Sequence, residues 1–152
     1  MGHGQNNSPQ LLNRGLPICH DVVNTISRDE LSGKLGSPWL VVVNVLAAPA
    51  YDKIHIKGSI SIPRAELEGG RWKELDFTKE IVVHCSSFDC EASREAAKFL
   101  ETKGFQASAY EGGMAEWAEA RLPTEGTLTP EAYLKERKER QERKQSVAAP
   151  PA

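Results

Sequence analysis

The sequence predicts an α/β fold of three layers, with a mainly parallel five-stranded sheet covered by helices on both faces. Three observations carry this expectation. The runs WLVVVNV (39–45) and EIVVH (80–84) are nearly continuous in apolar, β-branched residues, which suits strands buried on both faces of a parallel sheet. Strand candidates alternate with helical segments along the chain. At 152 residues there is enough chain for one domain with a sizeable core.

Residues 1–20 carry Gly, Asn, Ser and Pro without periodicity and predict a flexible arm, leaving 21–126 as the folded unit. DVVNTI (21–26) is the first strand candidate. Ser27 with Glu30 three positions on forms a capping box that opens a short helix through Leu31 and Leu35, and Gly36-Ser-Pro ends it. WLVVVNV is the second strand, Pro49 starts a helical turn through Tyr51 to Ile54, and SISI (59–62) is the third strand, stopped by Pro63. From Ala65 to Asp76 a weak helix is interrupted by Gly69-Gly70. EIVVH is the fourth strand. Ala92 to Thr102 has helical spacing with Ala96, Phe99 and Leu100 inward and Gly104 beyond its end. QASAY (106–110) is the fifth strand, and Gly113 to Ala120 a helix before Leu122-Pro123.

Residues 127–152 differ. Thr129 as N-cap and Pro130 at N1 lead into Glu, Lys and Arg at helical offsets, with no apolar stripe beyond Tyr133 and Leu134. This predicts a charged tail, partly helical or disordered, that does not dock. Removing 129–152 should then leave the fold and the cysteine chemistry intact. A protein-binding arm is the other reading of the same segment.

A net charge of −2 supplies no basic surplus for nucleic acid, and no apolar run approaches a membrane span. Three cysteines do not make a disulfide scaffold, and MGHGQNNSPQ lacks the pattern of a secretory signal, so a reducing cytoplasm is expected.

The chemistry gathers at Cys85, directly after IVVH. In an open α/β sheet, reactive groups collect at the carboxyl ends of strands. A loop of Ser86, Ser87, Phe88, Asp89, Cys90 and Glu91 leads to Ala92 and a helix whose first turn offers unpaired N–H groups. Such a loop can favour thiolate over thiol, and the pattern suits a nucleophilic Cys85. Cys90 is a candidate resolving thiol, its own thiolate disfavoured by Asp89 and Glu91; Cys85 should therefore alkylate first. A zinc site would need a second cysteine pair beside Cys85 and Cys90. Only Cys19-His20 is available, so no metal and no cofactor are expected. His84 alternates away from Cys85 and reads as a packed histidine. Trp39, Trp72 and Trp117 read as core or rim packing. Gly112-Gly113 reads as a tight turn passing close to the loop, with Gly112 the position for φ > 0.

Between residues 22 and 125 the chain resembles a single rhodanese homology domain. AYDKIHIKGSISIP (50–63) resembles that family's stretch through Tyr51, His55, Ile56, Gly58, Ile62 and Pro63. IVVHC resembles its strand and catalytic cysteine, and GF (104–105) with YEGGMAEWAEARLP (110–123) its closing motif. The resemblance implies that Cys85 accepts sulfane sulfur as a persulfide and passes it to a thiol or protein acceptor. It also makes His55 a fold mark. Two departures stand out. Asn44-Val45-Leu46 replaces the family's Asp-Val-Arg, and Glu91 stands six residues after Cys85, where phosphatases of the same fold carry arginine. Asp89 and Glu91 would repel a dianion, which favours a thiol persulfide over thiosulfate as donor and ranks the phosphatase reading third. A non-catalytic interaction module is the alternative to the sulfurtransferase.

Overall fold

A computed structural model describes residues 23–87 and 90–148. The elements run α1 (Arg28–Lys34), β1 (Leu40–Asn44), α2 (Ala48–Lys53), β2 (His55–Ile56), β3 (Ile60–Ser61) and α3 (Arg64–Glu68). After a single 3₁₀ turn (Arg71–Glu74) come β4 (Glu80–His84), α4 (Ala92–Thr102), β5 (Gln106–Tyr110), α5 (Gly113–Glu119), β6 (Thr124–Glu125) and α6 (Pro130–Ala148). The capping box forms as expected: the Ser27 hydroxyl accepts from the Glu30 amide at 3.1 Å, and the Glu30 carboxylate accepts from the Ser27 amide at 3.2 Å.

The main sheet has the order β3-β1-β4-β5, all parallel, with Val43 opposite Val83 and Val83 opposite Ala109. The strand expected over 21–26, which would have made the sheet five-stranded, does not form a ladder. It is reduced to one parallel bridge, Thr25 to Ala109, held by Ile26 N–H to Ala109 O at 3.1 Å and Ala109 N–H to Asn24 O at 2.8 Å. The reason is local: Ser27 caps α1 two residues later and turns the chain away, while Asp21 and Val22 lie outside the described residues. The antiparallel pair of β2 with β6 was not legible in advance, because two residues carry no period.

Strand alternation sorts the core into two. Val43, Ile81, Val83 and Cys85 face Leu67 of α3 and Ala96 and Leu100 of α4. Val42 and Val82 face the opposite way, toward Leu31, Ile54, Met114 and Trp117. Trp117 is fully buried and donates its indole N–H to the Pro123 carbonyl at 2.8 Å. Trp39 is neither core nor rim. It is 66% exposed, because the segment before β1 contributes its carbonyl, a 2.8 Å acceptor for the Glu80 amide, and not its indole. His55 stacks on Tyr51 with ring centroids 3.8 Å apart and lies against the Tyr51 carbonyl through Nδ1 at 2.8 Å, a role in holding the fold.

The charged tail is helical from Pro130, and its first turn docks, contrary to the expectation from its composition. Tyr133 is half-buried against the Trp117 side of the core. Thr127 and Leu128 amides donate to the Asp52 and Lys53 carbonyls at 3.2 and 2.8 Å, Lys53 pairs with Glu136 at 3.5 Å, and Arg121 pairs with Glu131. Stripe counting missed this because one aromatic and a hydrogen-bonded linker make the attachment, not a repeating apolar face. No helix among the described residues is long and apolar enough to cross a membrane.

Candidate functional site

Cys85 is the first residue beyond β4, a central strand of the sheet, and its side chain is fully buried on the α4 face. Phe88 and Asp89, two of the expected loop residues, lie outside the described residues; Ser86, Ser87, Cys90, Glu91 and Ala92 are described. The loop is pinned from the other side by the start of α5. Met114 and Ala115 amides donate to the Cys85 and Ser86 carbonyls at 3.0 and 2.8 Å. That approach explains the glycine pair, with one correction. Gly112 has φ −62°, whereas Gly113 has φ +64°. A Cβ on Gly113 would lie 2.7 Å from the backbone of Cys85, Ser86 and Ser87, so Gly113 is the position that needs to lack a side chain.

His84 points to the opposite face, as alternation predicts. Its Nδ1 is 3.3 Å from the Cys85 carbonyl and its Nε2 has no partner. Burial lowers its pKa to about 4, so the imidazole is neutral at physiological pH.

The two described thiols interact directly, and their acidity is the reverse of the expected order. Burial first, and then its interaction with Cys90, push the Cys85 thiol up to about 11. Its sulfur also meets carbonyl oxygens, donating to Cys90 O at 3.4 Å with Ser87 O at 4.0 Å, which favours the protonated form. Only the Ser93 amide and hydroxyl pull the other way. For Cys90, partial burial acts upward, but the Cys85 thiol and the Ala92 and Ser86 amides outweigh it and hold this thiol below the ordinary range. Glu91, expected to suppress that thiolate, is mostly exposed and pairs with Arg94 at 3.7 Å. Arg94 lies within α4 and also pairs with Glu111 at 3.5 Å. Asn44, in place of the family's acid, is buried; its Oδ1 accepts from the Leu46 amide at 2.9 Å.

A cavity of about 740 Å³ opens beside the loop. Ser86, Ser87, Cys90 and Met114 line one side, and Tyr133, Arg137 and Arg140 of α6 the other. Sequence reasoning missed two parts of this site. One is Ser93, whose buried hydroxyl makes no hydrogen bond to a nitrogen or oxygen. Its place in the first turn of α4, where amides are free, was the signal available. The other is the α6 wall, for which the sequence offered only a charge run. Among the described residues no group of three His, Cys, Asp or Glu could hold a metal ion; Cys19 and His20 lie outside them.

Comparison with known proteins matches residues 27–120 to the rhodanese-like domain. The chain belongs to the rhodanese-like domain family. It is 31% identical over 102 residues to the HTH-type transcriptional regulator Rv0324 of Mycobacterium tuberculosis, covering 67% of this chain and 45% of that protein. It is 32% identical over 105 residues to the uncharacterized protein YibN of Escherichia coli K12, covering 66% and 71%. Thus the chain spans under half of one of these relatives. Among solved structures, the BH2092 protein of Bacillus halodurans superposes with TM-score 0.69 at 27% identity, covering 86% of this chain and 93% of that one. A thiosulfate sulfurtransferase of Pseudomonas aeruginosa superposes with TM-score 0.62 at 28% identity, covering 73% of this chain and 21% of that one. The rhodanese-like match ends at residue 120, before α6 begins at Pro130.

Proposed function

We propose that this rhodanese-like chain is a sulfurtransferase that carries sulfane sulfur as a persulfide on Cys85, with Cys90 as its paired thiol. The observation behind this reading is the pair itself: two interacting thiols at the end of a central strand, one sealed beneath the loop and one facing the cavity. Of the two thiols Cys90 is the more acidic, so it is the one that gives up its proton first. As the Cys85 sulfur attacks the outer sulfur of a donor R–S–SH, Cys90 takes the Cys85 proton. The donor S–S bond breaks, R–S⁻ leaves with that proton, and Cys85–S–SH forms. The Ser93 amide and hydroxyl stabilise the charge on this persulfide. An acceptor thiolate that attacks the outer sulfur carries it away and returns Cys85. Without an acceptor, Cys90 attacks the Cys85 sulfur: a Cys85–Cys90 disulfide forms and hydrosulfide leaves. The two thiols are then oxidised, the sulfane sulfur is reduced, and an external thiol resets the pair. Working with both thiols reduced suits a reducing cytoplasm. The catalytic unit is 21–126.

The Pseudomonas neighbour's name supports sulfur transfer, though thiosulfate as donor fits poorly beside the carbonyls that face Cys85. The exposure and acidity of Cys90 favour a second reading, in which Cys90 takes the sulfur first and Cys85 resolves it.

The test is sulfur transfer from glutathione persulfide to a thiol acceptor, with sulfide release followed in parallel. Cys85→Ser abolishes transfer, whereas Cys90→Ser, lacking the base, takes up sulfur on Cys85 more slowly and loses spontaneous sulfide release. Uptake kept by Cys85→Ser and lost by Cys90→Ser would establish the second reading. If the wild type takes sulfur from neither the persulfide nor thiosulfate, the chain is a rhodanese-like interaction module.

A further inference from the structure

The charge distribution around the cavity is uneven. Its floor carries the loop residues Ser86, Ser87 and Cys90 and the apolar side chains of Leu46, Ile54 and Met114. Its cations come almost wholly from α6: Arg137, Arg140, Arg143 and Lys144, joined across the opening by Lys53. Among the described residues two lining acids stand against these five, Glu136 and Glu139, and Glu136 already pairs with Lys53. Among the described residues, no acid lies within ion-pair distance of Arg140, Arg143 or Lys144. In a chain whose net charge is −2, this concentrates an excess of positive charge over one opening.

The attachment of α6 makes that wall a fixed feature. Tyr133 is half-buried, with Arg137 and Arg140 close to its phenol oxygen, and it lines the same cavity as Cys90. The base of α6 and the sulfur site therefore share one cavity.

Resting on the sulfurtransferase reading, we propose that α6 is the specificity wall of the site: Arg137 and Arg140 bind the carboxylates of a small organic thiol or its persulfide, whose sulfur is directed at Cys85 and Cys90. Cavity size and charge position choose this class. A volume of about 740 Å³ suits a small organic molecule and far exceeds what a tetrahedral anion fills. In thiosulfate the charge is bonded directly to the reacting sulfur and would sit against the Ser87 and Cys90 carbonyls. The α6 cations line the opposite wall, so they call for a ligand whose anionic groups are separated from its sulfur. Arginine forks hold carboxylates in bidentate fashion, and partial enclosure strengthens the contact.

The experiment is calorimetric titration of the full chain with S-methylglutathione, which carries the carboxylates and cannot exchange sulfur. Its diethyl ester and thiosulfate are titrated as comparisons. Wild type binds S-methylglutathione, binds the diester roughly tenfold or more weakly, and loses the preference in the Arg137→Gln/Arg140→Gln double variant. Circular dichroism of that variant, with Tyr133 untouched, checks that α6 remains helical. Equal binding of acid and ester, tighter binding of thiosulfate, or undiminished binding by the folded double variant each overturns the proposal. So does absence of binding by the wild type. Sulfur uptake from glutathione persulfide, measured on the same preparations, reports separately on the sulfurtransferase reading: selective binding without uptake sinks that reading and leaves the specificity wall standing.

Discussion

The cavity has two walls of different origin. One is the β4–loop–α4 unit with the start of α5, where backbone is packed so closely that a single Cβ at Gly113 would collide with three loop residues. The other is α6, attached by Tyr133, a few hydrogen bonds and ion pairs along an otherwise solvated helix. The first wall is fixed by the same contacts that hold the core, so its substitutions act on folding. The second lies beyond the matched domain, and on the specificity-wall proposal its substitutions act on what the site binds.

The sharpest way to break this contrast is Gly113→Val. It places a β-branched side chain at φ +64° and against the Cys85, Ser86 and Ser87 backbone, and should cost at least about 3 kcal/mol. Denaturant unfolding measures it. A stability within error of wild type would show that the loop can move aside. Gly112→Ala, at φ −62° and facing only the flexible Glu116 side chain, should be much milder.

His84 sharpens the same point through pH. Its folded pKa of about 4 lies below the ordinary 6.5, so the native state resists a proton that the unfolded chain accepts. Above pH 6.5 both states are neutral and His84 has no effect. Between pH 6.5 and 4 it removes up to about 3 kcal/mol of stability. His84→Gln should flatten that part of the stability–pH curve, and an unchanged acid limb would show that His84 is not the group responsible.

Removing residues 129–152 should lower stability by only roughly 1–2 kcal/mol, the loss of one half-buried tyrosine and its neighbours. Thermal melts decide this: collapse of the domain would mean that α6 is part of the core. Ser93→Ala is the smallest change. It should slow sulfur uptake by roughly tenfold through loss of one hydrogen bond to the sulfur, with little change in the melting temperature. An unchanged rate would leave the Ser93 hydroxyl a mere packing group.

The first wall was legible in the sequence because its signals are local. Ser27 and Glu30, the EIVVH run, and the Ala92–Thr102 period each specify structure within a dozen residues, and each element forms there. The position of Cys85 followed from the same run. What escaped depends on where distant segments meet. The β2–β6 pair joins residues nearly seventy positions apart, and α6 reaches the loop from some fifty residues downstream. The thiol acidities were misjudged for a similar reason: they depend first on how deeply each sulfur is buried and then on the groups that turn toward it, and composition encodes neither.

The central claim, that Cys85 carries sulfur, is tested most directly by mass spectrometry of the intact chain after brief exposure to glutathione persulfide, followed by peptide mapping under non-reducing conditions. The account predicts a gain of roughly 32 Da, one sulfur atom, located on Cys85 in the Cys90→Ser variant, with a Cys85–Cys90 disulfide accumulating in the wild type as sulfide is released. An unmodified chain, or an added sulfur that maps to Cys90 and is unaffected by Cys85→Ser, would contradict it.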